Sequence, residues 1–323
     1  MSLTIWTNVR FADGAMRRLE EGARGHRLIL SPHGAPSILA AGAPDPAMAE
    51  ADVVFGQPDV GDCLRYGKVR WVHLTTAGFA RYDNDPFREN FRARGAALTK
   101  SSAVFAEPAA QHALAMMLAL DRQLLPTYRD QLTDRSWHME ERRSASRLLL
   151  GRTVVLLGFG TIGRRVAELL APFRCEVLAV RRQTRSELGV RIVAEADLTG
   201  VLARADHVIN VLPDSEATRR WVNARRLACF RRGARFYNVG RGTTVDQDAL
   251  VEALRAGTLG GAYLDVTEPE PLPPDHPLWT APNCFITPHT AGGRDDQAEA
   301  LVDHFLGNLA AFAQGHALTD RVL

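Results

Sequence analysis

The chain has 323 residues, 46% of them hydrophobic and 24% charged, with a formal net charge of +2. That length supports two domains of ordinary size, each with its own core. The near-balanced charge gives no sign of the strongly basic face usual in a nucleic-acid binder, so no nucleic-acid partner is expected.

The N-terminus, MSLTIWTNVRFADG, is too short and too polar for a signal peptide. No apolar run in the sequence approaches the ~20 residues of a membrane span. A cytoplasmic protein with no membrane partner is therefore expected. Cys63, Cys175, Cys229 and Cys284 stand alone without a CxxC pair, which argues against a zinc site or a disulfide framework. No metal is expected.

Short apolar runs then alternate with helical patterns, the signature of βαβ units and parallel sheets. The first stretch predicts strands at Leu3–Trp6, Arg27–Leu30, Asp52–Phe55 and Trp71–Leu74, with a helix at Gly14–Gly22. Glu107–Leu125 opens with an acid and a proline, suited to a helix first turn. It is apolar on nearly every side and should be buried. Ser136–Leu149 is polar and arginine-rich, placing it on the surface or at a subunit contact. The second stretch predicts strands at Thr153–Leu157, Glu176–Val180, His207–Leu212, Arg235–Val239, Ala262–Val266 and Cys284–Ile286. Gly292 and Gly293 precede an amphipathic tail, Asp295–Gln314, read as a final helix.

Gly158, Gly160 and Gly163 make a G-x-G-x-x-G in TVVLLGFGTIGRRVAELL. The motif follows a five-residue apolar strand and opens an amphipathic helix, the context a dinucleotide fingerprint needs. Gly158, Phe159, Gly160, Thr161, Ile162 and Gly163 are thus candidate cofactor contacts, with pyrophosphate at the helix N-terminus. An NAD site carries an acid about 20 residues further on. Here the second strand is followed by Arg181-Arg182-Gln183-Thr184-Arg185-Ser186, with no carboxylate. Arg181 and Arg182 could receive a 2′-phosphate by charge-assisted bonds, which favours NADP over NAD.

Three later segments carry unusual residue choices. FYNVGRG sets Arg241 between glycines at a strand end, where open α/β sheets bind ligands. DVTEPEPLPPDHPLW carries Asp265, Glu268 and Glu270 on a proline-stiffened loop. TPHTAGG places His289 after a further strand. Alone, His289 is one of ten histidines, and Asp265 could be a simple strand-end cap. His276, within the proline loop, reads as structural.

Taken together, EPAAQHALAMMLAL, GFGTIG, NVLP, NVGRGTTVDQDAL, LDVTEPEPLPPDHPLW and TPHTAGG resemble the D-isomer-specific 2-hydroxyacid dehydrogenase family, over nearly the whole chain. The resemblance implies an α/β protein of two Rossmann-like, doubly wound parallel-sheet domains with the active site in the cleft between them. A flavodoxin-like substrate domain would come from 1–100 plus 289–323, and a dinucleotide-binding domain from 101–288. It implies a homodimer assembled through the coenzyme domains. It gives catalytic roles to Arg241, Glu270 and His289. Glu270 rather than Glu268 takes the glutamate role, and it argues against formate, since the family's formate dehydrogenases carry glutamine there. The resemblance also puts Thr76, Ala77 and Gly78 on the substrate carboxylate. Leu212, Pro213, Thr218, Val239, Gly240, Asp265, His289 and Gly292 would line the cofactor site, Asp265 at the nicotinamide amide or its ribose.

The chemistry suits those roles. Reducing a 2-keto acid needs a hydride on the carbonyl carbon and a proton on its oxygen. A planar, permanent cation such as Arg241 can hold the carboxylate and polarise the carbonyl. A histidine can donate the proton near neutral pH, and Glu270 can orient its ring. Glyoxylate or hydroxypyruvate are the candidate substrates. Two other expectations compete: a phosphite-type dehydrogenase with the same residues, and a dinucleotide-sensing corepressor on the same scaffold.

Overall fold

A computed structural model describes residues 2–34, 40–181, 187 and 189–323. The 2′-phosphate role expected of Arg182 lies outside the described residues. The chain divides into two compact units, Met1–Phe105 with Arg294–Leu323, and Ala106–Gly293. That division puts His289 in the second unit, where the expected boundary put it in the first.

Among the described residues of the first unit, five strands form a parallel sheet. They are β1 (Thr4–Thr7), β2 (Arg27–Leu30), β3 (Val53–Gly56), β4 (Trp71–Leu74) and β5 (Ala97–Thr99), in the order β2-β1-β3-β4-β5. Both faces are covered, so β3 and β4 are buried at every position, as central strands of a parallel sheet must be. On one face Phe55, Trp71 and Phe305 stack, the last from the helix Gln297–Ala313. On the other, Trp6, Val54, Val72, Phe87 and Phe91 pack together. The strand order reverses between β1 and β3. There Asn8 donates to the Gln57 carbonyl (2.9 Å) and accepts from the Gln57 N–H (3.0 Å).

The second unit holds β6 (Thr153–Leu157), β7 (Glu176–Val180), β8 (Arg191–Val193), β9 (His207–Asn210), β10 (Ala234–Asn238), β11 (Leu259–Leu264) and β12 (Cys284–Ile286). Their order is β12-β11-β10-β9-β6-β7-β8, all parallel. The order reverses between β6 and β9, and ligands of open α/β sheets bind at such a point, beyond the strand C-termini. Val166 and Leu170 of the helix Thr161–Leu170 pack with Ala110, Ala113, Met117 and Leu120 of the helix Ser102–Asp121 over one face.

The helix expected from Glu107 starts at Ser102, with Pro108 inside it. The proline removes one intrahelical bond, and the burial of Ala109, Ala110 and Ala113 outweighs that loss. Contrary to the expectation that no segment approaches a membrane span, this helix has 20 residues and is long and apolar enough to cross one. Its buried side chains belong to the core just described. The strand expected at His207–Leu212 stops at Asn210, and that expected at Ala262–Val266 runs from Leu259 to Leu264. Strands β5 and β8 have three residues each, too few for alternation to register.

Candidate active site

The glycine loop leaves β6 at the switch point. Gly158 has φ +96°, and a Cβ there would lie 3.2 Å from the Val211 carbonyl oxygen beyond β9. Only glycine takes that turn without strain. A Cβ on Gly160, in contrast, would meet nothing within 4 Å, so the backbone there faces open space. The helix Thr161–Leu170 begins after Gly160 with no side-chain cap. Its first N–H groups and positive dipole end are the fittings a pyrophosphate needs. The residues present therefore fit a dinucleotide.

Neighbouring strand ends carry the other expected contacts. Asn210 ends β9 and accepts from the Leu212 N–H at 3.3 Å. Thr218 donates to the Pro213 carbonyl at 2.6 Å, which closes this segment on itself. Val239 and Gly240 follow β10 and are both buried.

Arg241 comes next. Asn238 and Thr244 donate to its carbonyl at 3.1 and 2.6 Å, and its guanidinium donates to the Gly240 carbonyl at 2.6 Å. The turn closes tightly because Gly242 has no side chain; a Cβ there would lie 2.0 Å from the Thr267 carbonyl oxygen. Burial pushes the Arg241 guanidinium down from its ordinary value, opposed by the negative charges of Glu270 and Asp214. A guanidinium still stays charged at any working pH.

Glu270 and His289 meet. The imidazole Nδ1 lies 2.8 Å from Glu270 Oε2, and Glu270 Oε1 accepts from the Thr267 N–H at 3.0 Å. Burial raises the Glu270 carboxyl, but the His289 bond, the Thr267 N–H and the Arg241 charge together hold it below its usual value. An ionised Glu270 accepts, so Nδ1 carries the hydrogen and Nε2 is left to face a substrate. Glu268, the other acid of the loop, is engaged elsewhere, with Arg219 at 3.0 Å. His276 accepts from the Leu278 N–H and caps a short turn, the structural use expected of it.

His289 has φ +54°, uncommon for a non-glycine residue and a mark of a position held by its surroundings. Asp265 does the holding. Its Oδ1 accepts from Thr287 Oγ1 (2.6 Å), the Thr290 N–H (2.8 Å) and the Ala291 N–H (3.0 Å). The His289 N–H donates to the Asp265 carbonyl at 2.8 Å. The buried Asp265 thus ties its carboxylate to the His289 loop, as a strand-end cap would. Thr267 and Thr287, which the motifs did not single out, complete this frame, and Gly292 follows it.

In the first unit, Thr76, Ala77 and Gly78 form the loop after β4. Gln57 donates to Thr75 and Thr76 hydroxyls at 3.0 and 3.2 Å, and Thr76 donates to the Gly78 carbonyl at 2.6 Å. Gln57 lies in no sequence motif and supports this loop through contacts made only in the fold.

Beyond β7, Arg181 stands where the adenosine ribose is expected. Glu187, one residue past that arginine-rich stretch, reaches back to Arg181 at 3.5 Å.

Residues 114–291 match the family described as D-isomer specific 2-hydroxyacid dehydrogenase, NAD binding domain. The chain is 32% identical over 241 residues to a glyoxylate reductase of Korarchaeum cryptofilum, an alignment spanning 72% of this chain and 71% of that one. It is 30% identical over 292 residues to glyoxylate/hydroxypyruvate reductase B of Pectobacterium carotovorum, spanning 86% and 88%. The crystal structure of a D-isomer specific 2-hydroxyacid dehydrogenase from Xanthobacter autotrophicus, in complex with NADPH and MES, superposes with a TM-score of 0.82 at 27% identity, covering 100% of this chain and 98% of that one.

Proposed function

Because the chain belongs to the D-isomer-specific 2-hydroxyacid dehydrogenase family, NAD(P)-dependent oxidoreductases acting on CH–OH donors, we propose that it reduces a small 2-keto acid, with glyoxylate and hydroxypyruvate as its substrates and NADPH as its preferred donor. The observation that carries this reading is the Glu270–His289 pair at 2.8 Å, with Arg241 close enough to share its electrostatics.

A dinucleotide held at the glycine loop, 158–163, would supply the hydride. Arg241 binds the substrate carboxylate and draws electron density towards the carbonyl oxygen. His289, protonated at both nitrogens, gives the Nε2 proton to that oxygen as the hydride reaches C2. The ring is left neutral, and Glu270 keeps Nδ1–H in place and stabilises the imidazolium between turnovers. In the oxidative direction His289 takes the proton back. The preference for NADPH rests on Arg181 at the end of β7. The relatives named as glyoxylate and hydroxypyruvate reductases support the choice of substrate.

The test is a panel crossing glyoxylate, hydroxypyruvate and phosphite with NADPH and NADH or their oxidised forms. Reduction of the two keto acids, fastest with NADPH, is the expected result. Turnover confined to phosphite, or cofactor binding without turnover, would favour the competing readings.

A homodimer and a cytoplasmic location belong to the same proposal. The second unit exposes apolar side chains at Leu124, Tyr128, Leu132, Trp137 and Met139, with Trp137 at 90% exposure. A run of this kind on a globular surface marks an association site. The four cysteines are free thiols, which suits a reducing compartment. Light scattering on the full chain should return twice the 35.5 kDa chain mass; a monomer at micromolar concentration would remove the dimer from the reading.

A further inference from the structure

Glu187 holds two arginines from two different elements. Arg164, on the first turns of the helix Thr161–Leu170, grips it with Nε at 2.7 Å and a terminal nitrogen at 3.1 Å. Arg181, at the end of β7, reaches it at 3.5 Å. Both guanidinium carbons lie 5.8 Å from the ring centroid of Phe159, within the glycine loop. The result is a fork of cations over an aromatic platform, closed on an oxyanion. The Arg164 bonds hold the Glu187 carboxyl below its usual range, so it is charged at neutral pH.

The fork stands where the ribose 2′ position of a bound dinucleotide is read, between the glycine loop and the end of the second strand. We propose that Glu187 is an internal substitute for the 2′-phosphate of NADP(H), which holds Arg164 and Arg181 in a receptive geometry and must be displaced when the phosphate arrives. The inference rests on the proposal that Arg181 faces the 2′-phosphate, and adds Arg164 to that site. With a 2′-hydroxyl cofactor Glu187 stays and accepts from the hydroxyl, the service an acid at the strand tip gives in NAD enzymes. With a 2′-phosphate, which brings nearly two negative charges and three acceptor oxygens, the guanidinium groups change partner and Glu187 swings to solvent. Preference between the two cofactors is then a competition between a carboxylate tethered in the chain and a phosphate carried by the ligand.

Binding of adenosine 2′,5′-bisphosphate and of adenosine 5′-diphosphate to the full chain, measured by calorimetry, tests this without reliance on turnover. For Glu187→Gln the ratio of the two affinities should shift about tenfold towards the bisphosphate. Arg164→Met and Arg181→Asp should each shift it the other way. An unchanged or reversed ratio in Glu187→Gln, in a protein whose Arg181→Asp variant does lose the bisphosphate, would overturn the role of Glu187 alone. A wild-type chain that binds both probes equally, unmoved by Arg181→Asp, would overturn the 2′-phosphate site and the inference with it.

Discussion

Replacing His289 by alanine lowers kcat for keto-acid reduction by about 10²–10⁴-fold, the usual contribution of a positioned general acid. Dinucleotide affinity should stay within a factor of a few, because the glycine loop and the helix behind it are untouched. Glu270 takes Nδ1 at 2.8 Å and thereby leaves Nε2 as the group that can deliver a proton. Asp265 fixes the loop on either side through Thr287, Thr290 and Ala291, so the ring is aimed by the fold before substrate arrives. Steady-state kinetics of the variant, with cofactor affinity measured separately, provides the check. A kcat near the wild-type value would remove His289 from the mechanism.

Arg241→Lys should lower kcat/KM by at least about a hundredfold, or ~2.7 kcal/mol, and both KM and kcat should worsen. Lysine keeps the charge but loses the planar fork that meets a carboxylate with two parallel bonds. It also carries a compact, strongly hydrated charge into a site whose burial already disfavours the cation. The tight turn at Gly242, closed against Thr267, leaves the backbone little room to bring a shorter head group into place. Values of KM and kcat both within a factor of a few of wild type would show that residue 241 does not touch the substrate.

Much of this was legible in the sequence for physical reasons. The central strand β6 is buried from Val154 to Leu157, so it stands out as an unbroken apolar run. The glycine loop is legible because the turn forbids side chains at fixed places. Arg241, Glu270 and His289 are legible from family motifs, since no periodicity or charge pattern would separate His289 from the other histidines. What escaped depends on contacts through space. Glu187 lies beyond the strand tip where an NAD site carries its acid, and its meeting with Arg164 joins residues 23 positions apart. The use of Asp265 as the anchor of the His289 loop needs the positions of three donors 22–26 residues away. The early start of the helix at Ser102 escaped because a proline reads locally as a first turn, whereas burial of the alanines after it lets the helix run through.

The proposed reaction delivers a hydride and a proton to the carbonyl of a 2-keto acid. It is tested most directly by following NADPH oxidation by the wild-type protein with glyoxylate and with hydroxypyruvate, and identifying the products. Glycolate and the D-enantiomer of glycerate should each form in step with the NADPH consumed. A protein that binds NADPH yet forms neither product would contradict it.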